Sequence, residues 1–460
     1  MFEHYSAALS PHLIFGDVRL QRRYTYMIKE MGANFGQSIP RCFSEFKDTK
    51  AAYDFFSNER MKHFMIIEAE RARLVEHISQ SRPQIVLAVQ DTTELDFTGH
   101  RSASSLGSLN YVAQKGFLAH NHCLFTSQGV ALGVFDQKLW GRDADTLGQN
   151  KAKRKQRSLE EKESYRWLEH FNTLQRCFAS LPQTTFIEIG DQESDIQEVL
   201  QARDQAHIHY VLRSRGDRNL ADESKTIRKA VLGQAVQGCY SIEVKDDKTG
   251  KIRKACLEVR FTSASVNARH QHKRKISPVE VGFVMVSEIN PPQDAQAVEW
   301  VLSTSLPLQS LEDALQIIYW YCLRWRIETF HYVLKQGCAV EKLQLEEPRA
   351  IQIAIATYSL MAMQVLRLRY LAQTQPQLSL QAAGFDKQQY KVAAIFLNAS
   401  KAGNYDVHKK DPTVAEFAKM VAQLGGSILQ KNKPFGVKAI WRGIRDLQIL
   451  MQAFRAFSDA

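Results

Sequence analysis

The chain has 460 residues, of which 60 are Lys or Arg and 49 are Asp or Glu, so its formal net charge is +11 at pH 7. Its composition, 44% hydrophobic and 24% charged, is ordinary for a globular protein and excludes wholesale disorder. At about 150 residues per domain, this length predicts roughly two to four domains. The 7 cysteines include no CxxC pair, which excludes a zinc ribbon and a disulfide framework and fits a reducing cytosol. The positive balance favours a polyanionic partner only modestly.

No segment of the sequence predicts insertion into a membrane. The first residues, MFEHYSAALSPHL, lack the basic and then apolar regions of a secretory signal. The most apolar long stretch, 351–363, is too short to cross a bilayer and contains Gln352. We therefore expect this stretch to form a buried helix.

The N-terminal region predicts three helices. Apolar residues recur at helical spacing in 20–31, 51–56 and 64–78. Basic and aromatic side chains are interleaved along these segments: Arg19, Arg22, Arg23 and Tyr24, then Arg41, Lys47, Lys50 and Tyr53. On the residues alone, a solvated helical face and a phosphate-binding face are equally good interpretations.

The next region, up to residue 212, predicts an α/β sheet. Short apolar runs rich in β-branched residues predict strands at 85–89, 122–125, 130–135, 184–189 and 209–212. Longer periodic segments predict helices at 161–178 and 196–203. Strands separated by helices indicate a mixed sheet with helices packed against it.

Residues 236–305 have a different pattern, which predicts a β-rich insertion. Apolar or alternating runs of strand length lie at 240–244, 255–261, 279–286 and 300–304. Helical periodicity then resumes at Ser310 and continues to the end of the chain, interrupted by Pro and Gly.

Two acidic residues immediately follow predicted buried strands. Asp91 ends the run IVLAVQD, and Asp191 ends TFIEIGD. In an α/β sheet, the ends of the strands are where side chains converge on a substrate. Each Asp taken singly is nevertheless explained as well by the capping of a turn or helix.

A further pattern lies in the segment 321–335. Tyr321, Arg324, Glu328 and Lys335 are spaced so that a single regular helix would carry all four on one stripe. An exposed face with an Arg324–Glu328 ion pair would explain them. Phosphate-binding cations beside a metal-binding acid would explain them equally well.

The spacing Y-(2)-R-(3)-E-(6)-K of these four residues resembles the signature of the DDE transposases of the insertion-sequence-four family. Within that family the chain resembles a relative of the transposase of bacterial transposon five. Blocks that carry the resemblance run along nearly the whole chain: GDVRLQRR (16–23), AAYDFFSN (51–58), QDTTELDF (90–97), KESYRW (162–167), GDQESDI (190–196), VLRSR (211–215), EINPP (288–292), EWVLSTS (299–305), YCLRWRIETFH (321–331), LEEP (345–348) and AQLGG (422–426).

The resemblance implies a ribonuclease H-like catalytic core in which Asp91, Asp191 and Glu328 are the catalytic, metal-binding acids. Two Mg²⁺ ions per active site, with Mn²⁺ able to substitute, would assist in-line displacement at phosphorus. It also implies a cut-and-paste reaction: a 3′ nick, a hairpin on the transposon end, hairpin opening and joining to target DNA. On residue chemistry, three hard carboxylates suit such ions.

The resemblance further implies a set of DNA contacts. Tyr321, Arg324 and Lys335 would bind phosphates of the transposon end, and Trp300 would stack on a flipped base. The remaining expected contacts are Trp325, Arg213, Arg215, Arg19 and Arg23. The basic loops 151–157 and 269–275 are additional candidates, although solvated loops explain them as well.

The implied organisation has three domains: a helical end-binding domain (1–75), the catalytic domain with its insertion (76–372) and a helical dimerisation domain (373–460). The expected partners are transposon end DNA, target DNA and a second copy of the chain, in the bacterial cytoplasm, at the nucleoid when bound to DNA. No Walker A motif is present, so we expect no nucleotide cofactor, and no membrane partner is expected. The alternatives are a non-catalytic DNA-binding regulator and a ribonuclease H-like nuclease that does not join DNA.

Overall fold

The computed structural model resolves the chain into two compact units. The described residues are 1–144, 160–201, 208–221, 225–245, 252–266, 278–293, 295–428 and 435–458. The first unit comprises Met1–Ser81, Thr92–Lys151 and Arg326–Ala460, and the second comprises Arg82–Asp91 and Ala152–Trp325. The basic loops predicted at 151–157 and 269–275 lie outside the described residues. The division into three domains stays a prediction.

The first unit begins with α-helices, as the N-terminal periodicity predicts. They are α1 (Phe2–Leu9), α2 (Val18–Ala33), α3 (Phe46–Phe56) and α4 (His63–Ser81). Asp17 caps α2, because its carboxylate accepts a 2.8 Å hydrogen bond from the backbone N–H of Arg19. The buried faces of α2 and α3 meet through Tyr24 and Phe55, whose stacked rings lie 5.2 Å apart.

A buried charge cluster joins α1 to α4. Glu70 is fully buried, and Arg73 donates two 2.7 Å hydrogen bonds to its carboxylate. The hydroxyl of Tyr5 donates to the same carboxylate at 2.8 Å. Burial raises the pKa of Tyr5, which keeps the phenol protonated and able to donate. Because a buried charge left without its partner costs about 3–5 kcal/mol, this cluster strongly favours one arrangement of the two helices.

Three strands follow in the chain. They are β1 (Ile85–Asp96), β2 (Gly116–Thr126) and β3 (Ala131–Trp140), and β1 passes from the second unit into the first after Asp91. In the first unit the strand order is β3-β2-β1, with β2 and β3 antiparallel. The predicted strands at 85–89, 122–125 and 130–135 are confirmed, and each is longer than its apolar run. The apolar runs locate these strands but do not fix their ends: β2 is buried from Gly116 to Phe125 and includes the buried polar residues His120 and Asn121.

The second unit contains a sheet with helices between its strands. Its further elements are α5 (Tyr165–Phe178), β4 (Thr185–Gly190), α6 (Gln197–Gln201), β5 (Ile208–Arg213), α7 (Ile227–Leu232), β6 (Gly238–Lys245), β7 (Ile252–Val266), β8 (Val279–Glu288), β9 (Glu299–Thr304) and α8 (Leu311–Leu323). The strand order is β1-β4-β5-β9-β8-β7-β6. Strands β1, β4 and β5 are parallel, and every later pairing is antiparallel.

The sheet of this unit confirms the predicted mixed α/β fold with its β-rich insertion. Parallel strands need a crossover connection, and α5 and α6 lie in the connections that precede β4 and β5. The strands predicted at 240–244, 255–261, 279–286 and 300–304 are all present as β6 to β9. They extend the same sheet, because β9 pairs with β5 from Val211↔Thr304 to Arg213↔Leu302.

The rest of the first unit is helical, as predicted for the C-terminal part of the chain. Its elements are α9 (Trp325–Tyr332), a π turn (Val333–Gly337), α10 (Pro348–Thr374), α11 (Lys387–Ala399), α12 (Val414–Leu424) and α13 (Val437–Ser458). In the part of the chain that the structure describes, α10 is the one helix long and apolar enough to cross a membrane, yet 89% of its apolar window is buried within the protein. The predicted buried helix is thus confirmed, and it extends beyond 351–363.

Candidate active site

Two carboxylates lie at the same level of neighbouring parallel strands. The pairing of β1 with β4 runs from Ile85↔Thr185 to Val89↔Ile189. Asp91 lies two residues after Val89, and Asp191 lies two residues after Ile189. Neighbouring strands are spaced about 4.8 Å apart. The register therefore brings together two acids that are distant in sequence.

The prediction that Asp91 follows the end of its strand is wrong, because β1 continues through Asp91 to Asp96. Asp191 does directly follow β4, which ends at Gly190. On the next strand, Gly190 pairs with Leu212, so Arg213 lies at the level of Asp191. Asp91, Asp191 and Arg213 thus form a row across three parallel strands.

A tight turn fixes the backbone at Asp191. The Asp191 side chain accepts a 2.8 Å hydrogen bond from the backbone N–H of Glu193, and its carbonyl accepts a 2.6 Å hydrogen bond from the Ser194 hydroxyl. A Cβ atom added at Gly190 would clash with the Ser194 side chain. A side chain at position 190 would therefore displace the turn that holds Asp191.

Arg324 pairs directly with the first acid of the row. Its Nη1 lies 3.2 Å from Asp91 Oδ2, and the side chains of Arg324 and Asp91 are only 10% and 16% exposed. The guanidinium also lies over the Trp325 ring at 5.5 Å and over the Tyr321 ring at 6.0 Å. This cation therefore offsets the negative charge of Asp91 and is also in contact with two aromatic rings.

Tyr321 and Trp300 form the aromatic wall of the same site. Their rings meet edge to face, with centroids 5.5 Å apart at an interplanar angle of 64°. Tyr321 is buried and Trp300 is partly buried. Burial raises the pKa of Tyr321, although the charges of Arg324 and Arg213 oppose that rise. The phenol stays protonated, so it can donate a hydrogen bond to an anionic oxygen.

The prediction that one regular helix carries Tyr321, Arg324, Glu328 and Lys335 on a single stripe is wrong. Helix α8 ends at Leu323, and the Arg324 N–H bonds to the Tyr321 carbonyl three residues back, at 3.0 Å. Helix α9 carries Glu328, whereas Lys335 lies in the π turn, where the Cys338 N–H bonds to the Val333 carbonyl at 2.8 Å. A π turn contains an extra residue, so the 3.6-residue phase is lost.

The other predicted site residues divide between the two units. Trp325 is 58% exposed, and Arg215 is exposed beyond the end of β5, with its backbone N–H donating to Asp195 at 2.8 Å. Glu328 and Lys335 belong to the first unit, as do Arg19 and Arg23 of α2. The Arg19 side chain is 88% exposed and pairs with Asp17 at 3.0 Å.

A buried network of hydrogen bonds holds α9, the helix that carries Glu328. His331 of α9 accepts from Asn121 at 3.0 Å, and the Asn121 side-chain oxygen accepts from Gln137 at 2.7 Å. Gln137 also donates to Ser359 of α10 at 2.9 Å and accepts from His63 of α4 at 3.0 Å. Within the first unit, this hydrogen-bond network connects α9 to both strands of the β2–β3 hairpin and to the helices α4 and α10.

One basic residue of the site was missed at the sequence level. Arg166 of α5 pairs with Glu193 beside the Asp191 turn and lies over the Trp167 ring at 5.6 Å. Its side chain is 8% exposed, and burial lowers its pKa, which the charges of Glu193 and Asp191 oppose. The sequence signal that could have identified Arg166 is its place in KESYRW. There it directly precedes Trp167 at the start of a largely apolar helix face.

The donor chemistry of the row fits a hard divalent cation. Carboxylate oxygens are the ligands that Mg²⁺ prefers, and Asp91 and Asp191 supply them from adjacent strands. Among the described residues, no group of three or more Asp, Glu, His or Cys side chains is close enough together to hold an ion.

Two protein families match parts of the chain. Residues 4–61 match the transposase DNA-binding family, and residues 172–364 match the transposase DDE domain. Asp191 and Glu328 lie inside the second match, whereas Asp91 precedes it. The place of Asp91 in the site consequently depends on the β1–β4 register.

The buried hydrogen-bond network at α9 includes His63, and this predicts that the stability of the protein depends on pH. Burial lowers the pKa of His63, which outweighs the opposing hydrogen bond with Gln137. A lowered folded-state pKa gives stability that is present above the unfolded value of about 6.5 and is lost as the pH falls below it. We expect the melting temperature to fall on acidification from about pH 7.5 to 5.5, and to fall less in His63→Gln.

Melting curves of both proteins across this range check the prediction. Burial also lowers the pKa of His77, so part of the dependence should remain in the variant. Identical pH dependence in the two proteins would show that His63 does not contribute.

Proposed function

We propose that this chain, a transposase with a DNA-binding domain and a DDE domain, carries out cut-and-paste transposition as a member of the insertion-sequence-four family. A DDE domain implies metal-dependent phosphoryl transfer. In the proposal, Asp91, Asp191 and Glu328 are the three catalytic acids. The observation that carries it is the equal offset of Asp91 and Asp191 on parallel β1 and β4.

Mg²⁺, or Mn²⁺ in its place, would be held by these three carboxylates, two ions to each active site. Such ions supply stabilisation of the charge on the attacking and leaving oxygens of an in-line displacement. The carboxylates would hold and orient the ions, while the turn at Gly190 and Ser194 keeps Asp191 in position. Glu328 is the third acid in this proposal because of its place in the signature segment.

The residues around the two acids support binding of a DNA phosphate. Arg324 has a planar fork of donors that suits a phosphate oxygen, and it already lies 3.2 Å from Asp91. The protonated Tyr321 hydroxyl is a neutral donor for the same group. Arg213 and Arg215 supply further positive charge. Lys335 is a further proposed phosphate contact from the signature segment, and Arg19 and Arg23 lie within the matched DNA-binding range.

The proposed reaction is a series of displacements at phosphorus. Water attacks first and releases a 3′-hydroxyl, which then attacks the opposite strand to close a hairpin on the transposon end. Water opens the hairpin, and the regenerated 3′-hydroxyl attacks target DNA. Each step forms one P–O bond and breaks another, so no oxidant or nucleotide is consumed.

Transposon end DNA and target DNA are the proposed substrates. Two copies of the chain would act together through the C-terminal helices to bring two ends together. The proposed setting is the bacterial cytoplasm, with the protein at the nucleoid when it is bound to DNA.

Substitution of the acids tests the proposal. Asp91→Asn, Asp191→Asn and Glu328→Gln should each lower nicking of end DNA by at least roughly 10²-fold without loss of DNA binding, because each removes a carboxylate that would hold an ion at the reacting phosphate. Asp191→Cys should be inactive with Mg²⁺ and regain activity with Mn²⁺, which tolerates a softer ligand. Single-turnover cleavage on denaturing gels and a gel shift measure the two properties.

Glu198→Gln in α6 is the matched control, because it removes a carboxylate of the same unit outside the row. Nicking that survives Glu328→Gln would exclude that residue from the site. Nicks without joined product would identify a nuclease that does not join DNA. DNA binding without cleavage by the wild-type protein would favour a non-catalytic regulator.

The aromatic wall gives a second prediction. Stacking of a base on an aromatic ring contributes about 1–3 kcal/mol, so Trp300→Ala should slow hairpin closure roughly 5-fold to 150-fold while nicking remains near normal. Trp300→Phe keeps a stacking face and should retain most hairpin formation. Quantification of nick and hairpin in one time course measures both steps. Equal slowing of both steps in Trp300→Ala would show that Trp300 supports the fold rather than a flipped base.

A further inference from the structure

We infer that a cationic groove beside the C-terminal helix α13 is an additional binding site for the sugar–phosphate backbone of DNA. The groove has a volume of about 290 Å³ and lies entirely within the first unit. The residues that line it include Tyr332, Gly337, Lys438, Trp441, Arg442 and Arg445. The inference rests on the proposed function and adds to it a DNA contact outside the signature residues.

Three cations of α13 line the groove. Lys438, Arg442 and Arg445 are spaced by four and then three residues, so they lie on one face of the helix. Arg445 pairs with its neighbour Asp446 at 2.9 Å. Lys438 and Arg442 are exposed, and among residues 1–144, 160–201 and the other described ranges neither has an acid within ion-pair distance. Like charges on adjacent helical turns repel, and a polyanion would relieve that repulsion.

The groove also has an aromatic wall. The rings of Tyr332 and Trp441 lie 5.3 Å apart, and Tyr332 is 43% exposed while Trp441 is 7% exposed. The Trp441 ring packs closely against the backbone at Gly337, because a Cβ atom added there would lie only 3.2 Å from the ring. The wall thus offers one exposed ring on a rigid support, which suits contact with a sugar or a base.

The chemistry of the groove favours DNA over a small ligand or a protein segment. Its charge is of one sign, its polar groups are mainly donors, and an aromatic ring lies beside the cations. Phosphates spaced along a strand match cations spaced along a helix, and an adjacent ring adds stacking. Such contacts are largely independent of sequence.

The test measures the salt dependence of DNA binding by the full-length protein. A fluorescent duplex of about 30 base pairs and arbitrary sequence is titrated from about 50 to 200 mM salt. Each phosphate contact contributes about 0.9 to the slope of log K against log salt concentration, so Lys438→Ala/Arg442→Ala should bind more weakly and reduce the slope by about 1.8. Tyr332→Ala should weaken binding with an unchanged slope, and Tyr332→Phe should restore it.

The matched control is Lys391→Ala/Lys419→Ala, which removes two exposed cations from α11 and α12 outside the groove. A slope equal to that of the control would overturn the inference and leave the proposed function intact. A change in sedimentation without a change in DNA binding would overturn it in favour of an interface between protein copies. Absence of DNA binding by the wild-type protein would overturn both. Circular dichroism confirms that each variant is folded.

Discussion

The parallel pairing of β1 with β4 is the constraint on which the site depends. Two acids that are 100 positions apart in the sequence reach the same level because each follows the paired residues Val89 and Ile189 by two positions. A slip of one residue in this register would move one of the two side chains to the opposite face of the sheet. Since the apolar runs IVLAV and TFIEI are buried, the register is strongly specified. The core of the sheet and the placement of the acids therefore have the same origin.

In this site, arginine side chains offset the negative charge of the acidic residues. Arg324 pairs with Asp91, while Arg166 pairs with Glu193 beside Asp191. Both guanidinium groups lie over aromatic rings, which hold them in place and limit their access to water. The two arginines thus place positive charge beside the carboxylates of this site and hold Asp91 and Glu193 in ion pairs.

Much of the fold follows from local sequence patterns. The predicted N-terminal helices, the strands β4 to β9 and the buried helix α10 depend on periodicity and short apolar runs, which report burial reliably. The positions of Asp191, Arg213 and Trp300 at strand ends follow from the same signals. Tyr321 and Arg324 were recognised from their spacing, and the structure brings both to the row of acids.

The remaining features depend on contacts that periodicity does not report. The extension of β1 past Asp91 arises from strand pairing of polar residues. The break at Arg324 accompanies its ion pair with Asp91, 233 positions away, and the π turn changes the helical phase before Lys335. Arg166 and the cations of α13 act through residues distant in sequence, so no single segment reveals them.

Iron-mediated cleavage of the protein is the most direct test of the central proposal, that the three acids share the same metal ions. Fe²⁺ that replaces Mg²⁺ in the DNA complex reduces added hydrogen peroxide to hydroxide and a hydroxyl radical, and the radical cuts the polypeptide beside the ion. The proposed site predicts cuts near Asp91, Asp191 and Glu328 that excess Mg²⁺ suppresses and that Asp191→Asn abolishes. Cuts near the two aspartates without one near Glu328, or cuts that Mg²⁺ does not suppress, would contradict the assignment of these three acids to one metal site.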